Sequence, residues 1–366
     1  MNQQPSTQQS QSTRERQERV RQQMQQLRLD ALLVTETPNI RYLTGFTGST
    51  AMLLLSLAET VLITDSRYLT QASQQVANPI VLVEESYFKT VGQVIERAHV
   101  QRVGFESAAL TYQQLNHLLS QVEGNVHWVP TSQIVESLRM VKEPEEVQRL
   151  RRAIELTAEV FQTLIDQIKP GVRECELAAE LEYRLRQRGA EKMSFDTIVA
   201  SGERSAMPHG VASDKRIGQG FIVFDFGIVL DGYCSDMTRT VYVGTPDARA
   251  RQIYQTVLQA QLHCEENMRA GMECKAIDAL ARDVITAAGF GDQYRHSTGH
   301  GIGLQVHEAP RLAKTADGRV PAGAVVTVEP GIYLPEWGGV RIEDMVLVME
   351  TGCQVLTPAS KELIVL

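Results

Sequence analysis

The chain has 366 residues, 43% hydrophobic and 22% charged, the proportions of an ordinary globular protein long enough for two domains. Its 36 basic and 44 acidic side chains leave a formal net charge of −8, which argues against nucleic acid or an anionic membrane as the main partner. Five scattered cysteines (Cys175, Cys234, Cys264, Cys274 and Cys353) form no C-x-x-C pair, so the chain suits a reducing, cytoplasmic compartment rather than a disulfide framework or a zinc ribbon.

Residues 1–13, MNQQPSTQQSQST, are polar with no apolar signal-peptide core and read as a disordered tail. An amphipathic helix follows, with Val20, Met24 and Leu27 at helical spacing. From there to about residue 132 the stretches ALLVTE, AMLLLSL, TVLITD, IVLVEE and RVGFES read as strands, and YFKTVGQVIERA and YQQLNHLLSQV as helices; this is an α/β domain. No apolar run reaches membrane-spanning length; the best, Ala51 to Ile63, is interrupted by Glu59 and Thr60. Past Arg139 the pattern changes: Pro144 fits the first turn of a long helix that stops at Pro170-Gly171. Helices at 174–188, 247–270 and 275–289, mixed with strands after 193, read as an α+β domain. The expected division is a tail at 1–13, one domain at 14–135 and a second at 136–366, with no internal repeat evident.

The second domain holds the chemistry. In FIVFDFGIVLDGYCSDMTRTVYVG (221–244) an apolar run ends in a bare carboxylate, Asp225, and a second follows at Asp236. Burying an unpaired carboxylate costs about 20 kcal/mol by the idealised Born estimate and several after relaxation, so something must compensate it. Asp231-Gly232 suits a two-residue type I′ turn, which pairs positions summing to 463: Asp225 opposite Thr238 and Asp236 opposite Gly227. The two aspartates then share a face as diagonal neighbours, with Gly227 leaving room beside Asp236, and like charges that close call for a cation between them.

Two further stretches repeat the pattern. AVVTVEPGIYLP (324–335) ends a strand in Glu329, and GGVRIEDMVLVME (338–350) carries Arg341 and Glu343 on one strand face. HSTGHGIGLQVHEAP (296–310) holds His296, His300 and His307 among glycines too dense for a helix, so it reads as a loop entering a strand; His296 reads as a structural histidine. Four carboxylates and one or two imidazoles favour a hard or borderline divalent ion such as manganese. Their four charges balance two divalent cations, which suggests a dinuclear centre that activates a water. No H-E-x-x-H zinc motif is present.

DFGIVLDGYCSDMTRT, TGHGIGLQVHE, VEPGIY and GVRIEDMVLV, as an ordered set, resemble the aminopeptidase P/prolidase branch of the pita-bread metallopeptidases. The resemblance runs from about residue 14 onward. It implies a creatinase-type N-terminal α/β domain followed by a pita-bread α+β catalytic domain, and a homodimer acting on proline-containing peptides. It implies five metal ligands, Asp225, Asp236, His300, Glu329 and Glu343, for two divalent ions: manganese first, with cobalt, zinc or iron as alternatives. Asp225 would hold one ion, His300 and Glu329 the other, and Asp236 and Glu343 would bridge. It also implies substrate-side roles for His209 and His307, and for Arg341 a supporting role beside the bridging carboxylates. Glu329, His307 and His209 are then the catalytic candidates, and His209, His307, Tyr333 and Arg341 the substrate-binding ones, Tyr333 being nearly as well read as a core tyrosine.

The expected activity is that of an Xaa-Pro aminopeptidase, with Xaa-Pro dipeptidase (prolidase) as the runner-up. A metal-free creatinase-like hydrolase, a methionine aminopeptidase and a non-catalytic module of the same fold rank lower, because the whole ligand set and a long N-terminal domain are both present. The aminopeptidase reading rests on NIRYLTGFTGSTAMLLL (39–55), whose turn, Thr47 to Thr50, offers small neutral residues and no cation to clamp a terminal carboxylate.

Overall fold

The computed structural model describes residues 7–122 and 124–366, in two compact units that meet in sequence between Arg139 and Met140. The first unit runs α1 (Thr7–Gln26), β1 (Ala31–Val34), α2 (Thr37–Thr44), β2 (Met52–Ser56), β3 (Thr60–Thr64), α3 (Leu69–Gln75), β4 (Ile80–Val83), α4 (Tyr87–Arg97), β5 (Arg102–Glu106), α5 (Tyr112–Gln121), β6 (His127–Thr131) and α6 (Ile134–Met140). Its six strands make one sheet, ordered β4-β3-β2-β1-β5-β6, antiparallel where β2 joins its two neighbours and parallel elsewhere. All five expected strands form, and Leu33, Val61, Ile63, Val91 and Val103 close the core against α4. Helix α1 begins at Thr7, inside the expected tail. Its Thr13, Gln17, Val20 and Met24 are buried, and Gln17 donates to the Leu43 carbonyl at 2.8 Å, so tertiary burial extends a helix whose own sequence is polar. The rest of the expected tail, residues 1–6, lies outside the described residues.

The second unit runs α7 (Pro144–Leu164), α8 (Glu174–Gln187), β7 (Lys192–Met193), β8 (Ile198–Ser201), β9 (Gly220–Phe226), β10 (Ile228–Leu230), β11 (Tyr233–Cys234) and β12 (Met237–Val243). It continues through α9 (Ala248–Asn267), α10 (Cys274–Ala287), β13 (Gly299–Gly301), β14 (Glu308–Leu312), β15 (Val325–Val328), β16 (Gly331–Leu334), β17 (Gly338–Arg341), β18 (Asp344–Met349), β19 (Gly352–Val355) and β20 (Ile364–Val365). Among the named strands, pairing is antiparallel except between β12 and β20.

Contrary to the sequence reading, this unit is built on a repeat. Helices α8 and α10 begin one hundred positions apart and each spans 14 residues. Each follows a left-handed glycine, Gly171 at φ 89° and Gly271 at φ 80°. Each glycine N–H donates at 2.8 Å across a turn, to the Ile217 and Val320 carbonyls respectively. Each half has its own core. Leu150, Ile154, Phe161, Leu181 and Phe224 fill the first; Ile253, Val257, Ile277, Val326 and Val346 fill the second. The repeat escapes inspection because its recurring positions are turn glycines and interchangeable apolar residues, Leu177 against Ile277 and Leu185 against Ile285.

Among the described residues, no helix is long and apolar enough to cross a membrane.

Candidate metal centre

The opening hairpin folds in the expected register. Asp225 pairs with Thr238, Phe226 with Met237, and Leu230 with Tyr233, while Asp231 and Gly232 both take positive φ, 49° and 80°, as a type I′ turn requires. One detail differs. A Cβ on Gly227 would lie 1.8 Å from the Ser235 carbonyl oxygen, so glycine serves close backbone approach rather than room for the Asp236 side chain.

Asp236, just before β12, meets His300 of β13 and Glu343, between β17 and β18, in one buried cluster whose ligand atoms lie within 4.8 Å of one another. His300 Nε2 is 3.6 Å from both Asp236 Oδ2 and Glu329 Oε1. Glu343 Oε2 accepts from the Thr238 hydroxyl at 2.7 Å. Asp225 stands at the other side, paired to Arg341 Nη2 at 2.6 Å, and its Oδ1 is buried with no hydrogen-bond partner among the described residues. Five expected ligands thus converge, three of them in a single cluster, with Asp225 and Glu329 flanking it.

The electrostatics call for cations. Burial, with the Glu343, Asp225 and Glu329 charges adding to it, pushes the Asp236 carboxyl well above its usual range. Burial acts likewise on Glu343, helped by Glu329 and Asp225, and raises Glu329 to about 8. Burial also raises Asp225, against the opposing pull of Arg341. Such a group either keeps protons or gains metal. His300 is prepared as a ligand: its Nδ1–H donates to the Gly301 carbonyl at 3.0 Å, which turns the Nε2 lone pair to the carboxylates, and burial lowers its pKa to about 4, keeping the ring neutral. The orphaned Asp225 oxygen, the oriented imidazole and the crowded carboxyls fit hard or borderline divalent ions.

The other expected residues take distinct places. His209 and His307 are exposed. The His307 ring sits edge-on to His300 with centroids 4.3 Å apart. Tyr333 and Arg341 are buried, and Arg341 stands beside the carboxylates as the resemblance implies. Arg341 Nη1 donates to the Tyr333 hydroxyl at 2.7 Å and to the Pro208 carbonyl at 3.1 Å, and its Nε to Thr238 Oγ1 at 3.0 Å. Arg341 therefore fixes Asp225 directly and is linked by hydrogen bonds to Glu343 through Thr238.

Two further residues take part without a role assigned from the sequence. Thr238 was legible, since the hairpin register already set it opposite Asp225. His296 reads as a bystander in the sequence, yet its Nε2 lies 2.8 Å from the Tyr333 hydroxyl and its Nδ1 4.0 Å from Glu329. Because Nδ1–H donates to the Ser297 carbonyl at 2.8 Å, the Tyr333 hydroxyl donates to Nε2, which completes a chain from Arg341 through Tyr333 to His296. Only folding brings residue 296 to residue 333, and no spacing rule signals it.

Two units, the second carrying a buried carboxylate-rich cluster that could hold divalent metal, fit the class of metal-dependent hydrolases. Residues 148–350 match the model of metallopeptidase family M24, and residues 16–141 match the creatinase/prolidase N-terminal domain. The chain belongs to metallopeptidase family M24. It is 36% identical to an Xaa-Pro dipeptidase of Pyrococcus furiosus, over 96% of this chain and 100% of that protein. The solved structure of an Xaa-Pro dipeptidase from Bacillus anthracis superposes with a TM-score of 0.94 at 42% identity, covering 97% of this chain and 100% of the other. That of an X-Pro aminopeptidase from Thermotoga maritima superposes with a TM-score of 0.87 at 36% identity, covering 94% and 100%.

Proposed function

We propose that this metallopeptidase is an Xaa-Pro dipeptidase, a prolidase, rather than the aminopeptidase expected from the sequence. The observation that carries the choice is full-length similarity to Xaa-Pro dipeptidases at 42% and 36% identity. Asp225, Asp236, His300, Glu329 and Glu343 are the ligands of two divalent ions, manganese in the first instance. Bound there, such ions lower the pKa of a water and polarise a carbonyl. The protein's own groups do the rest. Glu329 accepts the proton of the attacking water, while His209 and His307 hold the scissile carbonyl and stabilise the charge that develops on its oxygen. Arg341 holds Asp225 in place and opposes the burial that raises its carboxyl. The Xaa-Pro amide has no N–H, so a site that grips the carbonyl and the ring suits it better than one that must hydrogen-bond the amide. A cytoplasmic homodimer accompanies this reading, with light scattering as its check.

The second reading, Xaa-Pro aminopeptidase, is favoured by the Thermotoga maritima likeness and by the lack of a basic residue in the Thr47–Thr50 turn. Manganese-loaded protein assayed on Ala-Pro, Ala-Pro-Ala and Met-Ala separates the two. A higher kcat/KM for Ala-Pro supports the dipeptidase; a higher value for Ala-Pro-Ala installs the aminopeptidase; a preference for Met-Ala rejects both.

A further inference from the structure

From the network around Glu174, in the first turn of α8, we infer that this carboxylate is a positioning residue for His209. Its side chain is fully buried. Burying a carboxylate costs several kcal/mol unless hydrogen bonds satisfy it, and here donors from both ends of one loop do so. Glu174 Oε1 accepts from the Ser201 N–H at 2.7 Å and the Ser201 hydroxyl at 2.8 Å. Oε2 accepts from the Ser213 hydroxyl at 2.6 Å, the Ser213 N–H at 3.2 Å, and Arg204 Nη1. Ser201 ends β8 and Ser213 lies twelve positions on; His209 sits between them. One carboxylate therefore closes the loop that presents this histidine.

The rest of the loop is held toward the metal centre. Arg204, fixed by Glu174, donates through Nη2 to the Val211 carbonyl at 2.8 Å. The Ser205 hydroxyl accepts from the Gly339 N–H at 2.8 Å, and Pro208, next to His209, gives its carbonyl to Arg341. The other half of the repeat uses the same device. Asp278, in α10, accepts from the Thr298 N–H at 3.1 Å and hydroxyl at 2.9 Å. Its partner Arg282 donates to the Tyr294 carbonyl at 2.9 Å and the His296 carbonyl at 2.8 Å. In each half, then, a buried acid on the second helix ties down a histidine-bearing segment, which is more than a helix cap needs.

The inference rests on the catalytic part proposed above for His209, so the test includes that residue. Glu174→Gln, His209→Ala and the double variant are loaded with manganese and compared on Ala-Pro, with hydrogen–deuterium exchange run on the metal-free proteins. In Glu174→Gln the amides of 202–213 exchange at least tenfold faster, manganese stoichiometry is unchanged, and kcat falls tenfold or more. In the His209→Ala background the same change costs less than twofold, because the histidine it positions is gone. If His209→Ala alone leaves kcat and KM at wild-type values, the catalytic reading of His209 fails and this inference with it. If His209→Ala is impaired but Glu174→Gln is fully active, or costs the same factor in both backgrounds, Glu174 is structural only and the inference is overturned. Should Glu174→Gln not fold, Arg204→Met, partly exposed and removing one of the Glu174 donors, is read by the same criteria.

Discussion

Each side chain at the centre is tuned by a neighbour that the chain brings from far away. Among the described residues, Asp236 has no cationic partner within salt-bridge distance apart from His300, which burial keeps neutral, so removing it should relieve repulsion in the metal-free protein while stripping a ligand. Asp236→Ala should therefore fold, hold fewer manganese ions by elemental analysis, and lose turnover; near-normal turnover with two bound ions would refute the ligand assignment. His296 calls for a different expectation from the one its sequence suggests. Burial lowers its pKa to about 3, so it stays a neutral acceptor for the Tyr333 hydroxyl, and losing one neutral hydrogen bond costs about 1 kcal/mol. His296→Ala and Tyr333→Phe should each lower kcat/KM roughly fivefold, and the double variant little further, if the two act as one chain.

Among the elements, the β9–β12 hairpin depends on close backbone contact. At Gly227 a Cβ would overlap the Ser235 carbonyl, and the Ser235 hydroxyl lies 2.7 Å from Thr157 Oγ1 of α7 and 2.9 Å from the Ile228 N–H, so the strand cannot move aside without breaking these. Overpacking of this kind costs about 1–3 kcal/mol. Gly227→Ala should lower the melting temperature by several degrees, whereas Gly218→Ala, where a Cβ would meet nothing within 4 Å, should leave it unchanged. Equal melting temperatures for the two variants would show that the hairpin tolerates a shift. Behind the same strand, Arg239 donates to the Glu343 carbonyl at 2.6 Å and to Asp344 at 2.7 Å, while Lys361 reaches Asp344 at 2.7 Å. These cations hold the Asp344 carboxyl below its usual range despite its burial, so two adjacent acids, Glu343 and Asp344, titrate in opposite directions.

For the whole molecule, the cluster of raised carboxyls links folding to pH and metal. A carboxyl raised from 4.5 to about 8, as Glu329 is by burial, holds a proton in the folded state that the unfolded chain has released, so it lowers stability as pH rises through that window. Asp236 and Glu343 act in the same direction. The metal-free protein should melt at a lower temperature at pH 8 than at pH 5.5. Manganese should flatten that slope, and its uptake at pH 7 should release protons measurable by calorimetry in buffers of different ionisation enthalpy. Parallel slopes with and without manganese would mean that the carboxyls are not where the ions bind.

Local chemistry alone determined much of this protein. Alternating and periodic apolar residues set the strands and long helices, the Asp231-Gly232 turn set the register that faces Asp225 with Thr238, and strands ending in Asp225 and Glu329 marked the centre, because patterning and turn geometry act over a few residues. Tertiary structure decided what depends on distance between segments. Burial of Thr13 drew part of an apparent tail into a helix, and folding set Tyr333, a substrate-side candidate, in a hydrogen-bond chain with His296, which reads as a structural histidine. Packing of Arg341 inside the fold decided which carboxylate it supports, Asp225. Glu174 became visible only when Ser201 and Ser213 closed on it. The repeat also emerged only in three dimensions, because apolar cores accept many sequences of similar volume, while the turn that carries each half demands little more than a glycine at positive φ.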